Sequence, residues 1–371
     1  MKETDNFLDK ATKRYNEYWN NFSNFYLQWH ITNQCNFHCK HCYQDDYKKS
    51  TLSFKQMESI FENFLKIIKE KKKEFPENKD SVFHLSITGG EPLLCNHFNK
   101  LMNKIAQEKK GFQLSIMSNG SLLKPLILKK IFNDYKVDII QISLEGVEKK
   151  NDAVRGRGNF IKAVRALENI KKMGEKAIIS FTLSKQNIED IPLLVKLAYD
   201  LKMNISIRRL VLQGASKGMK KLLVSPRELE DVYRYVDTIN SNSKKNGENF
   251  FIFLGCESGM ATQFDLKNQS AINSCPIMTK GILTLLPDGS VYSCRRLPIK
   301  IGDLNNENLI DIYHRVAKGE YKIQMEKMSI ECQRCEYFKY CFGGSRCVAF
   351  AYSDNKDLYA PDPQCPKLFS N

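Results

Sequence analysis

The sequence predicts an α/β protein: six βα units forming a parallel sheet or partial barrel, with a cysteine-rich region behind it. Three observations carry that expectation. From residue 26 to about 210, short runs rich in β-branched and aromatic residues alternate with amphipathic helical stretches. Polar or glycine-rich residues stand directly after the early strands. After about residue 250 the periodicity gives way to turns and cysteines.

The candidate strands cover 26–31, 82–88, 112–117, 137–143, 176–182 and 204–210. Between them, 54–73, 97–109, 122–134, 160–173 and 188–201 repeat apolar residues at helical spacing, and 225–243 follows the sixth strand. Six units are fewer than the eight of a complete barrel. In parallel βα architectures the loops beyond the carboxyl ends of the strands build the active site. Segments 32–42, 89–91, 118–120 and 145–146 are therefore expected on one rim. Further on, short strands at 282–286 and 291–293 flank the turn Pro287-Asp288-Gly289, and a helix is expected over 309–317. The expected division is an N-terminal extension (1–25), the partial barrel (26–245) and a cysteine-rich domain (246–371).

At 371 residues with 42% hydrophobic side chains, the chain is long and apolar enough for two cores, which excludes disorder and a disulfide-stapled miniprotein. No apolar run approaches the roughly 20 residues of a membrane span, and the first residues are charged where a secretory peptide is apolar. A cytoplasmic protein without a membrane partner is expected. The formal charge of +15 fits a solvated surface or attraction of an acidic partner. Without a basic tail or a nucleic-acid-binding motif, nucleic acid is not an expected partner.

The chain has 12 cysteines. A reducing cytosol keeps thiols free, so clustered cysteines read as metal ligands. Three form Cys35-x3-Cys39-x2-Cys42, directly after the first strand, and seven lie from Cys275 to Cys365. Cys95, after Pro92-Leu93-Leu94, reads as a buried small hydrophobe. Three thiolates on one loop can hold three irons of a [4Fe–4S] cluster, leaving the fourth open for a ligand. A zinc site completed by His38 or His41 is the competing reading.

Cys35, Cys39 and Cys42 after the first strand, Gly89-Gly90-Glu91-Pro92 after the second and Ile142-Ser143-Leu144-Glu145-Gly146 after the fourth together resemble the radical S-adenosylmethionine superfamily. The resemblance spans the first two-thirds of the chain. It implies that the open iron is chelated by the amino and carboxylate groups of S-adenosylmethionine. One electron then splits an S–C bond, giving methionine and a 5′-deoxyadenosyl radical that abstracts hydrogen from the substrate. It further implies that Gly89, Gly90 and Glu91 receive the methionine ammonium and that Arg155 reaches the methionine carboxylate through charge-assisted bonds. Ser118, Asn119, Ser143 and Glu145 would contact ribose or adenosine, and His41 would lie near the adenine.

The C-terminal cysteines run Cys275, Cys294, Cys332-x2-Cys335-x5-Cys341-x5-Cys347 and Cys365, which is similar to the SPASM extension of many such enzymes. That resemblance implies two auxiliary [4Fe–4S] clusters. Cys332, Cys335, Cys341 and Cys365 would hold the outer one. Cys275, Cys294 and Cys347 would hold the inner one, with Cys256 as candidate fourth ligand or an open iron in its place. A zinc ribbon is the alternative for Cys332 and Cys335. One departure is the five residues between Cys341 and Cys347 where three are usual; Gly343 and Gly344 are expected to let the longer loop still present Cys347.

SPASM-bearing relatives mostly modify peptides or proteins. Sulfatase maturases place an acidic residue after the cysteine equivalent to Cys294, where this chain has Arg295, which argues against that branch. The expected function is a maturase installing a thioether or carbon–carbon crosslink in a ribosomally made peptide. An external one-electron donor of flavodoxin or ferredoxin type would serve it. About 25 residues precede the first strand, too few for a leader-recognition domain, so leader recognition, where needed, is expected from a separate leader-binding protein or from the basic surface. Modification of a small molecule or heme precursor is the alternative within enzymes, and a non-catalytic iron–sulfur electron carrier the alternative outside them.

Overall fold

Alternation along the strands decides the architecture. In a computed structural model that describes residues 2–44, 46–47, 52–255 and 275–369, β1 (Phe25–His30) buries Phe25, Leu27 and Trp29 on one face and turns Tyr26, Gln28 and His30 to the other. The same division recurs in β2 (Phe83–Thr88), β3 (Gln113–Ser118), β4 (Ile139–Ser143), β5 (Ala177–Leu183) and β6 (Asn204–Arg209). Their apolar faces pack against α2 (Phe54–Glu74), α3 (Phe98–Glu108), α6 (Asn159–Lys172), α7 (Ile191–Leu201) and α8 (Pro226–Lys245) in one continuous core. Their other faces carry Gln28, His30, Ser86, Thr88, Gln141, Ser143, Ser180, Thr182 and Arg208, which surround an interior cavity. A sheet with apolar residues toward its helices and polar ones inward must curl around something polar.

The helices begin where local chemistry dictates. Ser53 and Gln56 form a capping box at the start of α2, and Ser225 and Glu228 do so for α8. The helix expected over 122–134 is shorter, α4 (Pro125–Lys129) followed by a π turn at Lys130–Asp134, because Pro125 belongs in a first turn. Pro192 likewise delays α7, which a 3₁₀ turn at Ile188–Asp190 precedes. One helix not anticipated, α5 (Glu148–Arg155), follows β4 and delivers Arg155.

The sheet does not end with the sixth strand. β7 (Ile252–Leu254) pairs with β6, and β8 (Ile282–Leu285) pairs in parallel with β1, Tyr26 opposite Ile282. β9 (Ser290–Cys294) and β10 (Leu297–Asp303) continue it antiparallel, giving the order β10-β9-β8-β1-β2-β3-β4-β5-β6-β7. The cysteine-rich region thus extends the barrel sheet directly. The first 25 residues contain α1 (Lys2–Asn20), whose Ala11, Tyr15 and Trp19 lie one turn apart and are buried in the C-terminal core, with Tyr15 5.4 Å from the Phe342 ring. Between the halves runs a buried ion pair, Arg209 Nη2 to Asp362 Oδ2 at 2.8 Å, flanked by Gln364. Among the described residues no helix is long and apolar enough to cross a membrane.

Candidate functional site

The rim anticipated from the loops is one cavity of about 360 Å³, lined by Cys35, Cys39 and Cys42, by Gly89 and Gly90, and by Arg155. The cysteine loop is pinned from several sides. Gly90 N donates to Thr32 O and Glu91 N to Gln34 O, both at 2.8 Å; Lys40 N reaches Val154 O at 3.0 Å, and Ala215 N reaches Cys42 O at 2.9 Å. A Cβ on Gly89 would stand 2.5 Å from Thr32 O, and one on Gly90 2.4 Å from Gln34 O, so only glycine lets the β2 loop lie against the β1 loop.

Two of the three thiols accept backbone N–H bonds, Cys35 from Phe37 and Cys42 from Gln44, both at 3.4 Å. Burial, reinforced by Glu91 and the neighbouring cysteines, pushes the Cys35 thiol up to about 11. Burial also raises Cys39. Thiols gathered on one loop bind together as thiolates around a strongly positive centre, and N–H bonds to sulfur are how proteins stabilise an iron–sulfur cluster. The donor set therefore fits a [4Fe–4S] group. Neither nearby histidine favours the zinc reading: His41 Nε2 is 3.1 Å from Glu145, and His38 packs on the Tyr47 ring at 4.5 Å.

The carboxylates take a different place from the expected direct contact with a ligand. Glu91 is fully buried and does not line the cavity; it accepts from Ser118 Oγ at 3.0 Å and Asn119 N at 2.9 Å, joining the loops after β2 and β3. The Ser118 hydroxyl is thereby taken up. Asn119 reaches the cavity but donates to Asn36 at 2.9 Å. Glu145, 1% exposed, accepts from Thr182 N at 2.8 Å and pairs with Arg155 and His41. Burial alone would raise its carboxyl, but the charges of His41 and Arg155 outweigh burial and hold it low. Both glutamates brace the residues that face the cavity. Arg155 keeps Nη1 3.7 Å from Cys39 Sγ, and Ser143 and His41 line the cavity.

A prediction follows from Glu91, whose carboxyl burial pushes from 4.5 up to about 7. Between those values the folded chain holds a proton that the unfolded chain has released. The contribution is full below about pH 4.5 and lost as the pH rises through 7, about 3 kcal/mol in all. Glu91→Gln is expected to flatten the fall in the urea midpoint across that window; an unchanged fall would show that Glu91 does not titrate there.

Burial pushes Cys341 up, and Cys332, Cys365 and Cys335 add to the shift, so these four share one neighbourhood. Cys294 and Cys347 both act on Tyr43, which follows Cys42, and Cys294 lies on the cavity wall itself. Cys275 is buried in the same C-terminal core as Cys347. Cys347 is brought there because Phe342, Gly343 and Gly344 all adopt positive φ and turn the chain into the helix Arg346–Tyr352. Cys256 lies outside the described residues. Cys95 is buried with its thiol toward Ile31 O at 3.5 Å.

Sequence reasoning missed the inward faces of the strands, including His30, Gln141, Thr182 and Arg208, although their period-two placement of polar residues was the available signal. Tyr43 was missed as well. It packs beneath Gly214, where any Cβ would meet the Tyr43 backbone at 2.4 Å.

Comparison with known proteins agrees with this geometry. A family model described as the radical SAM superfamily matches residues 29–198, and one described as the SPASM iron–sulfur cluster-binding domain matches 275–336. The chain is 26% identical over 351 residues to the mycofactocin maturase MftC of Mycolicibacterium smegmatis, covering 91% of this chain and 82% of the relative. It is 27% identical over 373 residues to the Fe-coproporphyrin III synthase of Methanosarcina barkeri, covering 91% and 86%. Among solved structures, anSMEcpe with bound AdoMet superposes with a TM-score of 0.69 at 19% identity, covering 93% of this chain and 91% of that one. Streptococcus suis SuiB bound to S-adenosylmethionine gives 0.68 at 18%, covering 92% and 77%.

Proposed function

The chain is a radical S-adenosylmethionine enzyme with a C-terminal SPASM domain, and from that premise we propose that it is a peptide maturase installing a thioether or carbon–carbon crosslink in a ribosomally made peptide. The observation that carries the reading is the meeting, in one cavity, of the Cys35, Cys39 and Cys42 thiols with Cys294 of the C-terminal group. A bound cluster and S-adenosylmethionine would supply the radical that removes a substrate hydrogen.

The chain's own residues hold and orient. Cys35, Cys39 and Cys42 would ligate three irons, and the loop pins described above keep them in place. Gly89 and Gly90 offer close backbone approach to the methionine ammonium. Arg155, oriented by Glu145, presents its free edge beside Cys39 for the methionine carboxylate. His41, Ser118, Asn119 and Ser143 line the space for the nucleoside, with Glu91 and Glu145 as positioning residues behind them. Cys332, Cys335, Cys341 and Cys365 would hold one auxiliary cluster, and Cys275, Cys294 and Cys347 the other, with Cys256 as candidate fourth ligand. An external flavodoxin- or ferredoxin-type donor and a separate leader-binding protein complete the proposed partners.

The likeness to mycofactocin maturase over 91% of the chain supports the peptide reading, and SuiB, which shares the fold, has been solved bound to precursor peptide SuiA. The test is anaerobic incubation of the reconstituted enzyme, S-adenosylmethionine and dithionite with short peptides encoded beside its gene. A peptide product that has lost a hydrogen pair, formed together with 5′-deoxyadenosine, is expected. Formation of iron coproporphyrin III from a tetrapyrrole precursor, with no change in any peptide, would instead favour the second reading, motivated by the 27% identity to Fe-coproporphyrin III synthase.

A further inference from the structure

The cavity wall is rich in arginine. Besides Arg155, it is lined by Arg208 of β6 and by Arg295 and Arg296 of the turn between β9 and β10, and by no aspartate or glutamate among the described residues. Arg155 has Glu145 as its counter-ion. Arg296 is built into the frame, donating to Arg209 O at 2.7 Å. The other two differ. Arg208 forms no ion pair among the described residues, and its Nε is buried without a hydrogen-bond partner. Arg295 reaches only a neutral group, Tyr43 O at 3.1 Å, and no carboxylate among the described residues.

Arg208 and Arg295 are half-buried, and the Arg208 Nε, buried without a partner, is costly unless an acceptor arrives to take its hydrogen bond. Two further buried polar atoms on this wall, Gln141 Oε1 and His30 Nε2, also lack partners. Such orphaned atoms gathered in one cavity call for a polar ligand. We propose that Arg208 and Arg295 are the substrate-recognition pair of this enzyme and bind a carboxylate of the peptide, on an acidic side chain or at its C-terminus. The planar guanidinium matches a carboxylate fork to fork, and Gln141 stands ready to accept a peptide N–H. The chain's excess of positive charge would draw an acidic peptide toward the site. This inference rests on the peptide reading above.

The experiment measures retention of matched synthetic peptides by the iron-loaded enzyme with S-adenosylmethionine bound. One set carries Glu with an amidated C-terminus, one carries Gln with an amidated C-terminus, and one carries Gln with a free C-terminal carboxylate. Wild type is expected to retain one of the carboxylate sets about ten-fold better than the neutral set. Which set is favoured identifies the source of the carboxylate. Arg208→Gln and Arg295→Gln are expected to erase the preference. If Arg208→Gln loses iron, Arg208→Lys is compared at matched iron content; it keeps the charge without the fork and should retain only part of the preference. Equal retention of all three sets by wild type would overturn the proposal, as would a preference that survives both Gln variants. So would variants that shift only the cluster potentials, because the arginines would then serve the clusters. Retention of iron coproporphyrin III and of no peptide, lost in Arg208→Gln, would overturn the peptide source together with the function proposed above and leave the arginine pair standing.

Discussion

Replacing Cys35, Cys39 and Cys42 together by alanine is expected to abolish 5′-deoxyadenosine formation under dithionite and to remove about four irons per chain. The remaining iron should stay with the C-terminal cysteines. The expectation is sharp because different elements anchor the two sets of thiols, even though Cys294 faces the same cavity. The cysteine loop is held by backbone hydrogen bonds to Thr32, Gln34, Val154 and Cys42 carbonyls. Of the C-terminal cysteines, Cys275, Cys332 and Cys347 are buried in a second apolar core with Phe338, Phe342 and Val348, and Cys294 and Cys335 pack against it. Iron and sulfide analysis with nucleoside chromatography checks it; nucleoside from the triple variant would contradict the assignment of these thiols. Replacing Cys332 and Cys335 should have the opposite character, lowering iron and yield of folded protein together, since metal binding in such a domain is coupled to its folding.

Arg209→Met is expected to cost about 3–5 kcal/mol of stability, because it leaves Asp362 as a buried charge without its partner. The pH dependence carries a second signature. In wild type, burial would raise the Asp362 carboxyl, but Arg209 outweighs burial and holds it below the ordinary 3.8. The pair's contribution is therefore present above pH 3.8 and lost as the pH falls through the depressed folded value. In the variant burial prevails and the carboxyl rises, so the gap between variant and wild type should narrow on acidification. Guanidinium unfolding of the iron-loaded proteins at neutral and acid pH measures both. A gap that does not change with pH would mean that lost packing, not an unpaired Asp362, causes the defect. The double variant with Asp362→Asn should recover part of the loss.

The strands of the barrel half were legible because each is an apolar run of strand length bounded by polar turns, and the cysteine spacings were legible because ligands on one loop must be close in sequence. What the sequence concealed is mostly direction and distant partnership. Glu91 and Glu145 read as ligand contacts because carboxylates beside a binding loop suit a cation. Only the fold reveals that their oxygens point back to Ser118, Asn119, Thr182 and Arg155. β8 is too short to announce that it pairs with β1, more than 250 residues earlier. Ala11, Tyr15 and Trp19 recur at a helical interval, so the N-terminal helix was readable, but its partner Phe342 lies at the other end of the chain. Arg208 and Arg295 could be seen as residues, whereas the lack of any aspartate or glutamate among the described residues lining the cavity with them shows only in the fold.

The central claim is a three-cluster radical enzyme, and its most direct test is anaerobic reconstitution with iron and sulfide counting alongside dithionite-driven cleavage of S-adenosylmethionine. About twelve irons per chain, as three four-iron clusters, with 5′-deoxyadenosine produced, is the predicted result. About four irons with zinc in the C-terminal cysteines would contradict the auxiliary clusters, and no nucleoside at any iron content would contradict the radical chemistry itself.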